Sequence, residues 1–198
     1  MGRSPNTVDV DVGADAESLR GIAEGQPSAL GEFYDRHAGV VYALAVRILK
    51  ETAEAEEVVQ DVFVQVWRHA KTYDVSRASA RGWLLMMTRS RAIDRIRARQ
   101  ARPGTGPATS DAAPLSRLAD SRPGQDAVLI DRESIARLEA ALEDLPGPMR
   151  TALDLAYYEG LTQSAIAERL GEPLGTIKTR MRTALIRLRA ALRPAEER

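Results

Sequence analysis

The chain has 198 residues, 44% of them hydrophobic, and its 28 basic and 28 acidic side chains give a formal net charge of zero. This length is enough for one or two domains, and this composition argues against a globally disordered chain. The absence of cysteine excludes disulfide bonds, thiolate metal sites and a cysteine nucleophile, and the two histidines lack the spacing of metal ligands, so we expect no cofactor and no metal.

The first residues and the hydropathy of the chain indicate where the protein works. Residues 1–15 are polar and acidic, which predicts a flexible tail, and they lack the apolar run of a secretory signal. No stretch of about 18 apolar residues occurs, so we expect no direct insertion into a membrane. Together with the absence of cysteine, these features predict a cytoplasmic protein.

Residues 30–67 show the helical period, with apolar side chains at steps of three and four in two successive segments. In the second segment Thr52 is the predicted N-cap, and Val62, Phe63 and Trp67 are expected in the core. The outer face of this helix carries Glu56, Gln60, Asp61, Gln65 and Arg68. Such side chains form either an ordinary solvated face or a surface for a partner protein.

A polar loop at residues 71–80 and a basic helix follow. The loop holds Tyr73 among short polar side chains. In the helix we expect Trp83, Met86, Met87, Ile93 and Ile96 to point inward. Residues 77–102 contain eight arginines and one acid, Asp94. Unpaired arginines at this density favour contacts with the phosphates of a nucleic acid, in spite of the zero net charge of the whole chain.

Residues 101–125 are rich in Pro, Gly, Ser and Ala without any sustained period, which predicts a linker. Residues 126–198 are typical of four helices, of which the third is capped by Thr162 and ended by Gly171, and the fourth opens at Pro173. No segment has the alternation of a strand. The predicted fold is therefore all-α, with two small helical domains, residues 16–100 and 126–198, joined by a flexible linker.

The clearest functional pattern lies at residues 162–182, where a short helix, a turn with Gly171 and a second helix form a helix-turn-helix pattern. Ala167 is small where the two helices must approach, and Ile177 should point into the core. The exposed face of the second helix then offers Lys178, Thr179, Arg180 and Arg182. Arginine reads guanine edges, and lysine or threonine binds phosphates. The alternative is a plain helical hairpin with a solvated arginine face.

These residues resemble a known family. Residues 145–189 are similar to region 4 of the extracytoplasmic-function (ECF) sigma factors of bacterial RNA polymerase, with Leu145-Pro146, Gly160-Leu161-Thr162 and Gly175-Thr176-Ile177-Lys178-Thr179-Arg180. Residues 33–97 resemble region 2 of the same family, most clearly at 55–67 and 81–97. The family usually has an acidic residue at the position of Ala165, so half of a capping box is missing here.

The resemblance implies a transcription initiation factor that has no catalytic residue and is not an enzyme. Such a factor binds core RNA polymerase and directs it to promoters by recognising −10 and −35 elements. The resemblance assigns polymerase binding to Glu56, Gln60, Asp61 and Gln65. It assigns the −10 element to Tyr73, Asp74, Ser76, Arg77, Arg89, Arg91, Arg95 and Arg97. It assigns the −35 element to Thr176, Lys178, Thr179, Arg180 and Arg182.

The sequence shows no sensory domain, so we expect control by an anti-sigma factor. Residues 155–162 resemble ECF members that pair with a membrane-anchored anti-sigma factor. Three other classes fit less well. A response regulator would need a βαβ pattern within residues 28–100, and a helical enzyme using the acids of residues 51–61 would need a partner base, a phosphate loop or metal spacing. A structural adaptor would not need two basic helices.

Overall fold

The structure is a computed structural model that describes residues 7–100 and 132–192. Within these ranges it holds eight α-helices, one 3₁₀ turn and no strand, which confirms the predicted all-α fold. The helices are α1 (Thr7–Ala23), α2 (Pro27–Leu49), α3 (Thr52–His69), α4 (Ala80–Gln100), α5 (Arg132–Glu143), α6 (Gly147–Tyr158), α7 (Gln163–Leu170) and α8 (Leu174–Ala191), with the 3₁₀ turn at Ala70–Thr72. None of these helices is long and apolar enough to cross a membrane.

The chain divides into two compact units. The first contains α1 to α4, and the second contains α5 to α8. The predicted linker at residues 101–125 lies outside the described residues.

Helix α1 corrects the prediction of a flexible tail over residues 1–15, because residues 7–15 form its first half. Further along the helix, Leu19 and Ile22 are buried and α1 packs against α2. The acidic residues at 9, 11, 15 and 17 made this stretch look like a solvated tail. One of them, Asp15, is in fact buried.

A buried polar network joins α1 to α2. The Asp15 carboxylate lies 2.8 Å from Nε2 of His37 and 3.2 Å from Nε of Arg36. Nη2 of Arg36 also donates to Oγ of Ser18 at 2.7 Å and to the Ala14 carbonyl at 3.3 Å. The His37 ring packs on Phe33, with 4.6 Å between ring centroids. Because buried polar groups require partners, this network fixes the position of α1.

The core of the first unit lies where α2, α3 and α4 pack on one another. The apolar stripes predicted from the helical period line it, and Val62 and Phe63 are buried as expected. The N-cap of α3 differs from the prediction. Glu51, not Thr52, caps the helix, because its extended backbone lets the carboxylate accept hydrogen bonds from the amides of Ala53 at 3.1 Å and Glu54 at 2.6 Å.

Two residues that we expected in the core lie at the surface. Trp67 is 39% exposed and Met86 is 62% exposed. The buried face of α4 runs through Ala80, Leu84, Thr88 and Ala92 at steps of four. Met86 is two positions from Leu84, which at the helical period places it on the opposite face. On α3, Val66 already completes the buried stripe, and its neighbour Trp67 falls outside it.

The second unit is built around α8, which packs against α5, α6 and α7. Its core consists of Ala152, Leu155, Ala156, Ile166, Ala167, Ile177 and Met181. Thr162 caps α7 as predicted, and its Oγ1 accepts a hydrogen bond from the Ala165 amide at 3.1 Å. Pro173 occupies the N-cap of α8 and not its first turn. The local signals in this half of the chain therefore define its helix boundaries.

Replacing Asp15 by Ala should destabilise the first unit by about 1–3 kcal/mol, because it leaves the buried His37 and the Arg36 guanidinium without their carboxylate. Urea unfolding of the full chain, followed by tryptophan fluorescence, measures this unit because Trp67 and Trp83 both belong to it. The matched control is Glu17→Ala on the exposed side of α1. Equal midpoints for the two variants would contradict a structural role for the network.

Candidate nucleic-acid interface

The turn between α7 and α8 has the geometry that the sequence pattern predicts. Gly171 adopts a left-handed conformation with φ of 65°, which ends α7. The amide of Glu172 donates to the Ala167 carbonyl at 3.0 Å and so ties the turn back to α7. Ile177 is fully buried, as expected, and this fixes which face of α8 points outward.

The outward face of α8 carries three of the predicted DNA-binding residues in exposed positions: Lys178, Thr179 and Arg182. Thr176 is half-buried, and Oγ1 of Thr179 donates to the Gly175 carbonyl at 2.9 Å. The sequence of α8 contains no acidic residue. This face is therefore cationic and close to the N-terminal end of the helix, where it suits contacts with phosphates and base edges.

Arg180 differs from its neighbours on α8. Its Nη1 and Nη2 atoms each donate to the same oxygen of Glu172, at 3.0 Å in both cases. The sequence pattern placed Arg180 on the open face and gave Glu172 no role. In the structure the pair is half-buried beside the turn.

Five of the six arginines of α4 have interactions within their own unit, so the prediction that these arginines are unpaired is wrong for those five. Arg95 forms an ion pair with Glu57 of α3, and Arg99 lies 3.5 Å from Glu54. Arg97 lies 3.8 Å from Asp94 on its own helix. The packing of α3 on α4 brings the acidic block of one helix to the basic block of the other.

The other two predicted arginines of α4 also have surroundings within the unit. With its amide suitably oriented, Gln65 accepts hydrogen bonds from Arg91. Arg89 is half-buried and likewise has an interaction within the protein. The cationic surface of α4 is thus partly neutralised by its own unit.

The loop after α3 is a closed turn. The Tyr73 hydroxyl donates to the Ala78 carbonyl at 2.8 Å, and its ring lies 5.2 Å from that of Trp83. Asp74 accepts hydrogen bonds from the amide and the hydroxyl of Ser76, at 2.9 and 2.7 Å. Three of the loop residues that the resemblance assigns to the −10 element, Tyr73, Asp74 and Ser76, therefore shape the loop, while Arg77 is exposed.

The electrostatics of the loop agree with this geometry. Burial raises the pKa of the Tyr73 phenol, and the nearby carboxylates of Asp15 and Asp74 raise it further. The hydrogen bonds from Ser76 lower the pKa of Asp74, as does the neighbouring Arg77. At neutral pH Tyr73 therefore keeps the proton that it donates, and Asp74 keeps the charge that accepts.

The predicted polymerase-binding residues of α3 do not share one face. Glu56 and Gln60 line a groove between α2 and α3, together with Tyr34, Tyr42 and Val59. Gln65 instead lines a second groove beside Arg91 and Trp83 of α4. Asp61 is exposed on the outer surface of α3. The sequence did not indicate the aromatic wall of the first groove, where Tyr34 is 44% exposed.

Comparison with known proteins gives matches along most of the chain. The family "Sigma-70 region 2" matches residues 33–102, and the family "Sigma-70, region 4" matches residues 141–190. The ECF RNA polymerase sigma factor SigK of Mycolicibacterium vanbaalenii is 40% identical over 177 residues, which cover 88% of this chain and 87% of that protein. SigK of Mycobacterium tuberculosis is 37% identical over 183 residues, with coverage of 88% and 91%.

This chain belongs to the ECF RNA polymerase sigma factors. It is a transcription initiation factor that binds core RNA polymerase and promoter DNA, and it is not an enzyme. Among solved structures, it is similar to Rhodobacter sphaeroides SigE in complex with the anti-sigma ChrR, with 30% identity, coverage of 89% of this chain and 96% of that one, and a TM-score of 0.46.

Replacing Glu57 by Gln should strengthen the binding of this sigma factor to non-specific duplex DNA, because it releases Arg95 to contact a phosphate. The slope of log affinity against log salt should steepen by about 0.9, the value for one additional phosphate contact. Fluorescence anisotropy at several salt concentrations measures both quantities.

The matched control for this prediction is Glu56→Gln. It makes the same change in net charge one residue away, at a position that lines the groove between α2 and α3. If the two variants bind DNA equally, then Glu57 affects DNA binding only through net charge. In that case its ion pair does not keep Arg95 from contacting a phosphate.

Proposed function

We propose that this sigma factor recognises the −35 element with α8 and the −10 element with α4 and the loop at residues 71–80. The observation that carries the proposal is the acid-free outer face of α8, fixed in orientation by the buried Ile177. Helix-turn-helix proteins contact base edges with the N-terminal part of their second helix. Lys178, Thr179 and Arg182 are exposed in this part of α8.

Arg182→Ala and Arg180→Ala should each reduce transcription from a cognate promoter, with a loss of about 1–3 kcal/mol for an arginine that contacts a base. Run-off transcription with core polymerase on promoters with intact and altered −35 elements measures the loss. Arg189→Ala, on the C-terminal part of α8, is the matched control. Normal transcription by both single variants, with polymerase binding unchanged, would refute the assignment of α8.

For the −10 element, the proposal gives the loop two kinds of residue. Tyr73, Asp74 and Ser76 hold its shape through their hydrogen bonds, and Val75 and Arg77 are exposed for contact. A pre-shaped loop loses less conformational entropy when it binds DNA than a flexible one. The arginines of α4, with Arg89, Arg91, Arg95 and Arg97 foremost, contact the phosphates of the same element by exchanging their partners within the unit for DNA.

Exchanging residues 71–80 for the loop of another ECF factor should change the preferred −10 sequence and leave the −35 preference as it was. The exchanged loop keeps Tyr73, so that its hydroxyl can still close the turn onto the carbonyl at position 78. Sequencing of transcripts from a promoter library reads out both preferences at once. An unchanged −10 preference would rule the loop out as the selective element.

We further propose that this protein works in the cytoplasm. We also propose that it binds core polymerase through Glu56, Gln60, Asp61 and the groove between α2 and α3. Gln65 lies at the edge of this proposed surface, because its side chain lines the groove beside α4. An anti-sigma factor, membrane-anchored in our interpretation, competes for the same surface. The groove supports this proposal because its tyrosines suit the apolar face of an amphipathic helix, and the Glu56 carboxylate suits a basic residue beside that face.

Asp61→Arg should weaken the binding of both core polymerase and the anti-sigma factor, chiefly through faster dissociation, because the reversed charge faces both partners. Surface plasmon resonance on core polymerase measures the rates, with Glu17→Arg on α1 as the control for a reversed exposed charge. A pull-down with the product of the adjacent gene, repeated with excess core polymerase, tests competition. A stable ternary complex would contradict a shared surface.

A further inference from the structure

The ion pair between Glu172 and Arg180 is unusual in its place. Glu172 lies in the turn that leads into α8, and its side chain is 35% exposed, against 24% for Arg180. The backbone of Glu172 is itself held, because its amide donates to the Ala167 carbonyl of α7. The two side chains therefore both extend from fixed backbone positions, one in the turn and one within α8.

A carboxylate in this position does not serve affinity for DNA. It lies beside basic residues of α8, where the phosphates of a bound duplex would repel an unpaired negative charge. Pairing with Arg180 removes this repulsion, but only while the pair is intact. Any binding mode in which Arg180 turns away to a phosphate leaves Glu172 uncompensated near DNA, and such a mode is disfavoured.

The geometry of the pair leaves Arg180 able to bind a further group. An arginine has five N–H donors, and Glu172 takes one from Nη1 and one from Nη2. The three remaining donors are enough for the two acceptors of a guanine edge or for one phosphate. The carboxylate thus fixes the plane of the guanidinium and leaves three of its N–H donors for another group.

We propose that Glu172 is a positioning residue for promoter recognition: it holds Arg180 in one orientation and thereby narrows the set of bases that Arg180 accepts in the −35 element. This inference rests on the proposed function of α8. It assigns to Glu172 an effect on selectivity and not on affinity. Glu172→Gln keeps the size of the side chain and one acceptor oxygen, but it removes the charge that ties Arg180 down and the repulsion that penalises its departure.

The test is run-off transcription with core polymerase on a library of promoters with a randomised −35 element. We expect Glu172→Gln to transcribe the cognate promoter nearly as well as the parent, and to lose selectivity by about five- to tenfold at one or two adjacent base positions. Arg180→Ala should lose selectivity at the same positions. In the Arg180→Ala background, adding Glu172→Gln should cause no further loss of selectivity, although removal of the uncompensated charge should raise transcription from all promoters alike.

The matched control is Glu168→Gln, which removes an exposed carboxylate one turn earlier, on α7, without touching Arg180. Unchanged selectivity of Glu172→Gln, an equal loss in Glu168→Gln, or a further loss in the Arg180→Ala background would each overturn the inference. If circular dichroism shows that Glu172→Gln does not fold, Arg180→Lys replaces it as the test variant. Lysine keeps the positive charge but lacks the two parallel N–H donors of the guanidinium. Parental selectivity in Arg180→Lys would overturn the inference.

The same library separates failure of this inference from failure of the proposed function. If Arg180→Ala and Arg182→Ala both leave the −35 preference unchanged, α8 does not read that element and both proposals fall. If they alter the preference and Glu172→Gln does not, the assignment of α8 stands and only the role of Glu172 is lost.

Discussion

Neighbouring carboxylates restrain the cationic surfaces of this sigma factor. In the first unit Glu57 and Glu54 of α3 meet Arg95 and Arg99 of α4, and in the second unit Glu172 meets Arg180. Exposed pairs of this kind contribute only about 0–1 kcal/mol to stability. Their larger effect is to lower the positive electrostatic potential at the surface that faces DNA. From its zero net charge and its paired arginines we expect the chain to bind free duplex DNA weakly, and core polymerase to supply most of the binding energy at a promoter.

The helical packing sets where these charges lie. The stripe of small and branched residues on α3 lets it lie against both α2 and α4, so one edge of α3 borders the aromatic groove and the other borders the arginines. The helix that we propose for polymerase binding and the helix that we propose for DNA contact therefore pack directly on each other. In the second unit, the buried Ile177 and Met181 have the corresponding role of holding the outer face of α8 in a single orientation.

Features that depend on a few neighbouring residues could be predicted from the sequence, and features that depend on packing could not. Thr162, Gly171 and Ile177 define the helix-turn-helix because capping, a left-handed backbone and a buried branched side chain are local chemistry. The pair of Glu57 and Arg95 joins residues 38 positions apart, which no local pattern contains. Asp15 was assigned to a tail because its partners lie on another helix. Trp67 misses the buried stripe of α3 by a single residue.

The closed loop after α3 has a consequence for how such factors diverge. Its shape is maintained by Tyr73, Asp74 and Ser76, while Val75 and Arg77 at its tip contribute none of the loop's side-chain hydrogen bonds among the described contacts. Substitutions at the tip therefore leave the closure of the loop intact. Under the proposed role of the loop, a gene duplicate can acquire a new −10 preference one residue at a time and keep the loop closed at every step. Because different residues close the loop and form its tip, the tip can change in sequence while the loop keeps its shape.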